Sequence, residues 1–166
     1  MIKKTVFVKH TGNQEHCKTG DGYMNMQQLV EDIKRHEGWS PTVYEDTQGY
    51  WTIGYGFLVD PAWGGAGLTK GEGEFILKNR LQDRIVKLEG ALEFFENLSD
   101  ARQRALVNMS YQLGVAGLLS FNKMLIALAN GDYNRAADEA LNSRWAEQTP
   151  NRAQEIADIL RFGNDR

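Results

Sequence analysis

The stretch EGWSPTVYEDTQGYWTIGYGFL, residues 37–58, decides how the rest of the chain is read. It opens on a carboxylate at the end of a helical pattern. Met26, Leu29, Val30 and Ile33 recur at the three-to-four spacing of one helix face, position 37 continues that face, and Gly38 follows as a stop. Asp46-Thr47-Gln48-Gly49 is a turn signal, and the run Tyr50–Val59 after it alternates in character. By the period of two, Trp51, Ile53, Tyr55 and Phe57 share a bulky face, while Thr52, Gly54, Gly56 and Leu58 share a nearly bare one. A bare face lets another group approach the backbone closely.

Outward from this segment the chain divides unequally. Residues 1–23 form an extension with scattered Gly, Thr, Asn and His, whose apolar cluster Val6-Phe7-Val8 reads as a short strand or a docking peptide. Residues 24–166 form the body, with a small sheet lobe at about 40–68 and a helical lobe at about 69–166 packed with helix 26–37. Thr69 and Glu72 make a capping box for a helix to about Leu88. Ser99-Asp100 opens another that stops at Gly114, and further helices are expected over Phe121–Ala129 and Tyr133–Leu141. The last opens at Thr149-Pro150, Thr as cap and Pro as first residue. The fold class is α+β: two lobes, one a small antiparallel sheet and the other helical.

Composition excludes several functions. The chain has 166 residues, a net charge of −3, 42% hydrophobic and 25% charged residues, which fits one folded unit. One Cys makes neither an internal disulfide nor a cysteine-rich zinc site. His10, His16 and Cys17 lack a fourth metal ligand and read as part of a tail. The mild acidity argues against nucleic acid, and neither a secretory signal nor an apolar run long enough for membrane insertion is present. Four lysines against two acids put +2 on residues 1–23 and −5 on the remainder.

Glu37, on an apolar helix face, is the leading candidate for chemistry. Burial raises a carboxyl pKa, and a carboxyl protonated near neutrality serves as a general acid. A frayed helix end that points Glu37 at water is the competing reading. Asp46 either closes its own turn or acts as a second, ionised carboxylate, and Thr52 offers a hydroxyl on the bare strand face. His36 flanks Glu37 about 100° around the helix, which reads as a surface position.

Together with the blocks Asn108–Gly114 and Ser143–Ala153, residues 37–58 closely resemble the T-even bacteriophage lysozymes, glycoside hydrolase family 24, and the resemblance runs over about residues 26–162. It implies hydrolysis of the β-1,4 bond between N-acetylmuramic acid and N-acetylglucosamine in peptidoglycan glycan strands. Glu37 would be the acid, with Asp46 and Thr52 orienting a water in the inverting arrangement, carboxyls roughly 6.5–9.5 Å apart. By the same resemblance Arg152 positions the acid and opposes the burial effect on its pKa, and Leu58 and Tyr111 contact substrate. No cofactor is implied. A monomer held in the host cytoplasm until a holin opens the route to the wall or periplasm is the expected biology. Phe57 stands where the family has His, Met124 and Glu139 replace sugar-contacting residues, and the loop Val59–Leu68 is short. The alternatives are a lytic transglycosylase, in which Glu37 works alone, and a virion-associated wall-binding module docked through residues 1–23. Met24 or Met26 is a second candidate for the start.

Overall fold

The structure, a computed structural model, describes residues 8–11, 14–19, 22–59 and 67–164. Two three-stranded antiparallel sheets and seven α-helices are formed by these residues. Strands β1 (Val8–Thr11), β2 (Gln14–Thr19) and β3 (Gly22–Asn25) make a meander with Cys17 opposite both Val8 and Met24. The tail expected at His10, His16 and Cys17 is therefore strand. Val6 and Phe7 lie outside the described residues, as do residues 60–66 of the short loop. The meander is joined to the helical lobe: β2 lies against the first helix, and the Asn25 amide donates to Asp100 Oδ1 at 2.6 Å.

Helix α1 (Met26–Glu37) begins where the Asn25 side chain caps it, accepting from the Gln28 amide at 3.0 Å. Its expected face is buried: Met26, Leu29, Val30 and Ile33. Gly38, at φ 70°, ends it with a bond from its amide to the Lys34 carbonyl.

The second sheet is β4 (Ser40–Glu45), β5 (Trp51–Gly54) and β6 (Phe57–Leu58), with Tyr44 opposite Thr52 and Ile53 opposite Phe57. Here the single alternating run expected over residues 50–59 is corrected. The chain reverses at Tyr55-Gly56, and Gly54 (φ 66°) and Gly56 (φ 75°) take the left-handed conformations that permit it. Trp51 accordingly parts from its expected companions: it is exposed, while Ile53, Tyr55 and Phe57 are buried. The bare face is not open either, because Thr52 is 3% exposed.

Helix α2 (Lys70–Ala91) opens with the expected Thr69–Glu72 capping box and crosses from sheet lobe to helical lobe. Gly73 lies inside it under the Trp39 ring, where a Cβ would stand 2.4 Å from a ring carbon. The Arg80 guanidinium covers the Phe57 ring at 4.5 Å, so Phe57 is packed and capped by a cation. Helix α3 (Asp100–Leu119) is broken at Gly114, where the stop was expected: the backbone leaves helical geometry there (φ 75°, ψ 159°), and a second helical piece follows to Leu119. Helices α4 (Asn122–Ala129), α5 (Tyr133–Leu141), α6 (Arg144–Gln148) and α7 (Pro150–Phe162) complete the lobe. Thr149 takes the N-cap position of α7 as expected, but its hydroxyl donates to the Trp145 carbonyl of α6 at 3.1 Å and makes no capping bond to α7. Ala136, Ala137 and Ala140 of α5 and Ala153 and Ala157 of α7 are fully buried, and these two helices pack together. No single described helix is long and apolar enough to cross a membrane.

Two glycine replacements separate the backbone effects. Gly54→Ala forces a left-handed alanine whose Cβ stands 2.8 Å from the Phe57 ring, and it should lower stability. The expected loss is about 1–3 kcal/mol. Gly90→Ala, in α2 with open space around it, should raise stability by about 0.5–1 kcal/mol. Urea denaturation of both variants measures the two signs.

Candidate active site

The site lies at the seam between the lobes, where three helices and a β-turn converge on Glu37. The C-terminus of α1 carries Glu37 and the first turn of α7 carries Arg152, 115 residues apart in sequence. Arg152 Nη1 donates to Glu37 Oε1 at 2.8 Å. The other carboxylate oxygen faces the β5–β6 turn, where an ideal Cβ on Gly56 would stand 3.2 Å from it. Any side chain at residue 56 would crowd the carboxylate. Glu37 is thus neither an isolated buried carboxylate nor a frayed end: its side chain is 20% exposed and ion-paired.

Arg152 is itself held from behind. Its Nε and Nη2 both donate to Asn108 Oδ1 of α3, at 3.0 and 2.8 Å, which uses the planar fork of the guanidinium. Arg152 is 9% exposed and Asn108 3%, so these bonds lie in low-dielectric surroundings where an unpaired donor is costly. Asn108 lies within a block that signalled family resemblance, and nothing in its residue type singled it out as the support of a cation.

Asp46 closes its own turn. Its Oδ1 accepts from the Gln48 and Tyr50 amides, both at 2.9 Å, and its amide donates to the Tyr50 carbonyl. That same carbonyl accepts the Thr52 hydroxyl at 3.2 Å. The Tyr50 peptide unit therefore ties Asp46 and Thr52 together through the backbone. Both bonds to the Asp46 side chain fall on Oδ1, which leaves Oδ2 directed by the turn rather than consumed by it.

Leu58 is 61% exposed on β6, opposite Thr52. Tyr111 is different: at 9% exposure it is nearly enclosed, and its hydroxyl donates to the Tyr55 carbonyl at 2.8 Å across 56 residues. Burial and the Glu37 charge raise its pKa. The Arg84 guanidinium stacks over its ring at 4.7 Å. Tyr111 is foremost a tie between the helical lobe and the β5–β6 turn. Met124 and Glu139 lie together in a separate groove of about 630 Å³, walled also by Leu113, Phe121 and Trp145.

His36 is corrected from its expected surface position. Its side chain is 9% exposed, turned between α3 and α7 beside Asn108 and Glu155. The 100° offset from Glu37 carried it off the Glu37 face but into a neighbouring helix seam rather than into water.

Similarity to known proteins agrees with these features. The phage lysozyme family model matches residues 34–158, which takes in Glu37, Asp46, Thr52, Asn108 and Arg152, and the chain belongs to that family. It is 34% identical over 163 residues to the pre-baseplate central spike protein Gp5 of Enterobacteria phage T4, covering 82% of this chain and 28% of that protein. It is 27% identical over 165 residues to probable T4-type lysozyme 1 of Dictyostelium discoideum, covering 81% of this chain and 94% of that one. The chain therefore spans about the length of the slime-mould relative but little more than a quarter of the phage spike protein.

Two substitutions test the framework without touching Glu37. Asn108→Ala removes the acceptor of two Arg152 donors and should cost about 1.5–3 kcal/mol. Tyr111→Phe removes one neutral bond to the Tyr55 carbonyl and should cost about 1 kcal/mol. Denaturant midpoints at constant slope give the comparison, and a larger loss in the tyrosine variant would contradict it.

Proposed function

We propose that the protein is a muramidase that hydrolyses the β-1,4 bond between N-acetylmuramic acid and N-acetylglucosamine in peptidoglycan. The observation that carries this reading is the pairing of Glu37 with Arg152 against the Gly56 turn, with Asp46 and Thr52 fixed nearby in sequence by one peptide unit. Glu37 gives its proton to the leaving glycosidic oxygen. Asp46, with the Thr52 oxygen as a second acceptor, orients and deprotonates a water that attacks the anomeric carbon from the opposite face, which inverts its configuration. Arg152 holds the Glu37 carboxyl in place and offsets its charge after proton transfer. Exposed Leu58 offers an apolar wall to a sugar ring, and Tyr111 holds the turn beneath it. Residues 24–166 constitute the catalytic domain, and residues 1–23 precede it as an extension. The protein acts as a monomer, waits in the host cytoplasm and depends on a holin to reach the wall.

Glu37→Gln preserves shape and an acceptor for Arg152 but removes the transferable proton. Hydrolysis of purified peptidoglycan should fall by about 10²–10⁴-fold with the circular dichroism spectrum unchanged; activity equal to wild type overturns the assignment. Mass spectrometry of the products separates mechanisms. Reducing muropeptides support attack by water, whereas 1,6-anhydro ends indicate a transglycosylase in which Glu37 works alone.

A second reading is favoured by the similarity to a protein named as a pre-baseplate central spike. Here the same activity is carried on a virus particle and serves entry rather than release. Immunodetection of the chain in purified particles supports this placement, and its confinement to infected-cell lysate supports release.

A further inference from the structure

Behind Arg152 runs a chain of hydrogen bonds that ends on His36. Arg152 Nε and Nη2 both donate to Asn108 Oδ1, which fixes which end of the Asn108 amide is oxygen. The amide nitrogen of Asn108 then faces His36 Nδ1 at 3.2 Å. An NH₂ group only donates, so Nδ1 must be the unprotonated, accepting nitrogen. The ring proton therefore lies on Nε2, which faces Glu155 Oε2 at 3.3 Å. Glu155 is fixed in turn by the Arg35 fork, with Nη1 on Oε2 at 2.8 Å and Nη2 on Oε1. Each member orients the next. Arg35 Nη1 also stands 3.3 Å from Nε2, but it already has its acceptor in Glu155 Oε2, so the neutral Nε2–H tautomer is the form of His36 that satisfies Asn108 and Glu155 together.

We propose that His36 is a positioning residue for the Glu37–Arg152 pair: neutral, it accepts from Asn108 and holds the Arg152 guanidinium on Glu37, and protonated at Nδ1 it releases that hold. A proton on Nδ1 would set N–H against N–H, so Asn108 must turn or withdraw. Turning exchanges its oxygen for nitrogen against Arg152, which confronts two guanidinium donors with a third donor. The consequence reaches Glu37 because Arg152 Nη1 is rigidly coupled to the same guanidinium plane. This rests on the muramidase reading only for its effect on rate; the coupling itself is a property of the fold.

The charges facing the ring set where this happens. From α7, Arg152 opposes the imidazolium and Glu155 favours it; from α1, Arg35 opposes it and Asp32 holds Arg35 at 3.4 Å; from α3, the facing group is the neutral Asn108 amide. Burial is the largest influence, Arg152 the next, and His36 titrates below the ordinary 6.5. The unfolded chain therefore takes this proton before the folded chain does. The contribution to stability is complete above 6.5 and is lost as pH falls from there through the folded-state value.

The full-length protein is compared with His36→Leu, which has no acceptor, and His36→Asn, whose side-chain oxygen stands near the place of Nδ1. Initial rates on purified peptidoglycan are followed from mildly acid to neutral pH, beside histidine and arginine side-chain ¹⁵N NMR of the wild type. His36→Leu should lower kcat about three- to tenfold at neutral pH with KM little changed. His36→Asn should recover most of that loss, and both should lack the acid limb that the wild type shows at the His36 midpoint. The Arg152 Nε–H resonance should move with that same midpoint. An Nδ1–H tautomer, an Arg152 resonance indifferent to His36 titration, or an unchanged acid limb in His36→Asn overturns the proposal. If wild-type protein hydrolyses nothing while Arg152 tracks His36, the muramidase reading falls and the coupling stands.

Discussion

One buried cation organises this molecule. The guanidinium of Arg152 sits where α1, α3 and α7 meet, and it is surrounded well enough to be almost inaccessible to water. Removing a charge from water costs several kcal/mol even after relaxation, so it persists there only because its fork is used on both sides. One side is charge-compensated by Glu37, the other hydrogen-bonded by Asn108. A lysine could compensate the charge but could not span the two partners in one plane. The position of the candidate acid is thus a by-product of satisfying a cation.

The same logic extends along the seam. Asp32 and His36 stand one helical turn apart on α1, and Arg104 and Asn108 one turn apart on α3. Arg104, 3% exposed, joins Asp32 at 3.3 Å and Asp100 at 2.9 Å, while Asp100 also accepts the Asn25 amide at the entrance of α1. A polar ladder therefore lies beside the apolar stripe of Met26, Leu29, Val30 and Ile33. Apolar packing tolerates small slips, whereas paired donors and acceptors at one-turn spacing fix the rotation and the register of α1 against α3. That register decides where Glu37 ends up.

The sheet lobe uses backbone geometry instead. Glycine at 54 and 56 lets the chain reverse at once, which brings Gly56 against the Glu37 carboxylate and the Tyr55 carbonyl to Tyr111. Reading the run as one alternating strand missed this, because period-two patterning cannot see a reversal made by two left-handed glycines. It also placed Thr52 on an open face, when Thr52 is buried.

The sequence by itself determined what is set by short range. Apolar spacing located α1 and its Glu37 end, Thr69 and Glu72 marked the start of α2, Pro150 the start of α7, and the turn at Asp46 was written in its residue types. Three blocks in order pointed to the family, which the match over residues 34–158 shows. Tertiary structure alone decided that Asn108 supports Arg152, that His36 faces inward, and that residues near the N-terminus pair as strands. The reason is physical. A helix period reports which residues share a face, but which neighbour covers that face depends on chain segments brought from 44 to 119 residues away. Polar side chains such as His36 and Asn108 carry no sign in the sequence of whether water or another buried polar group will satisfy them.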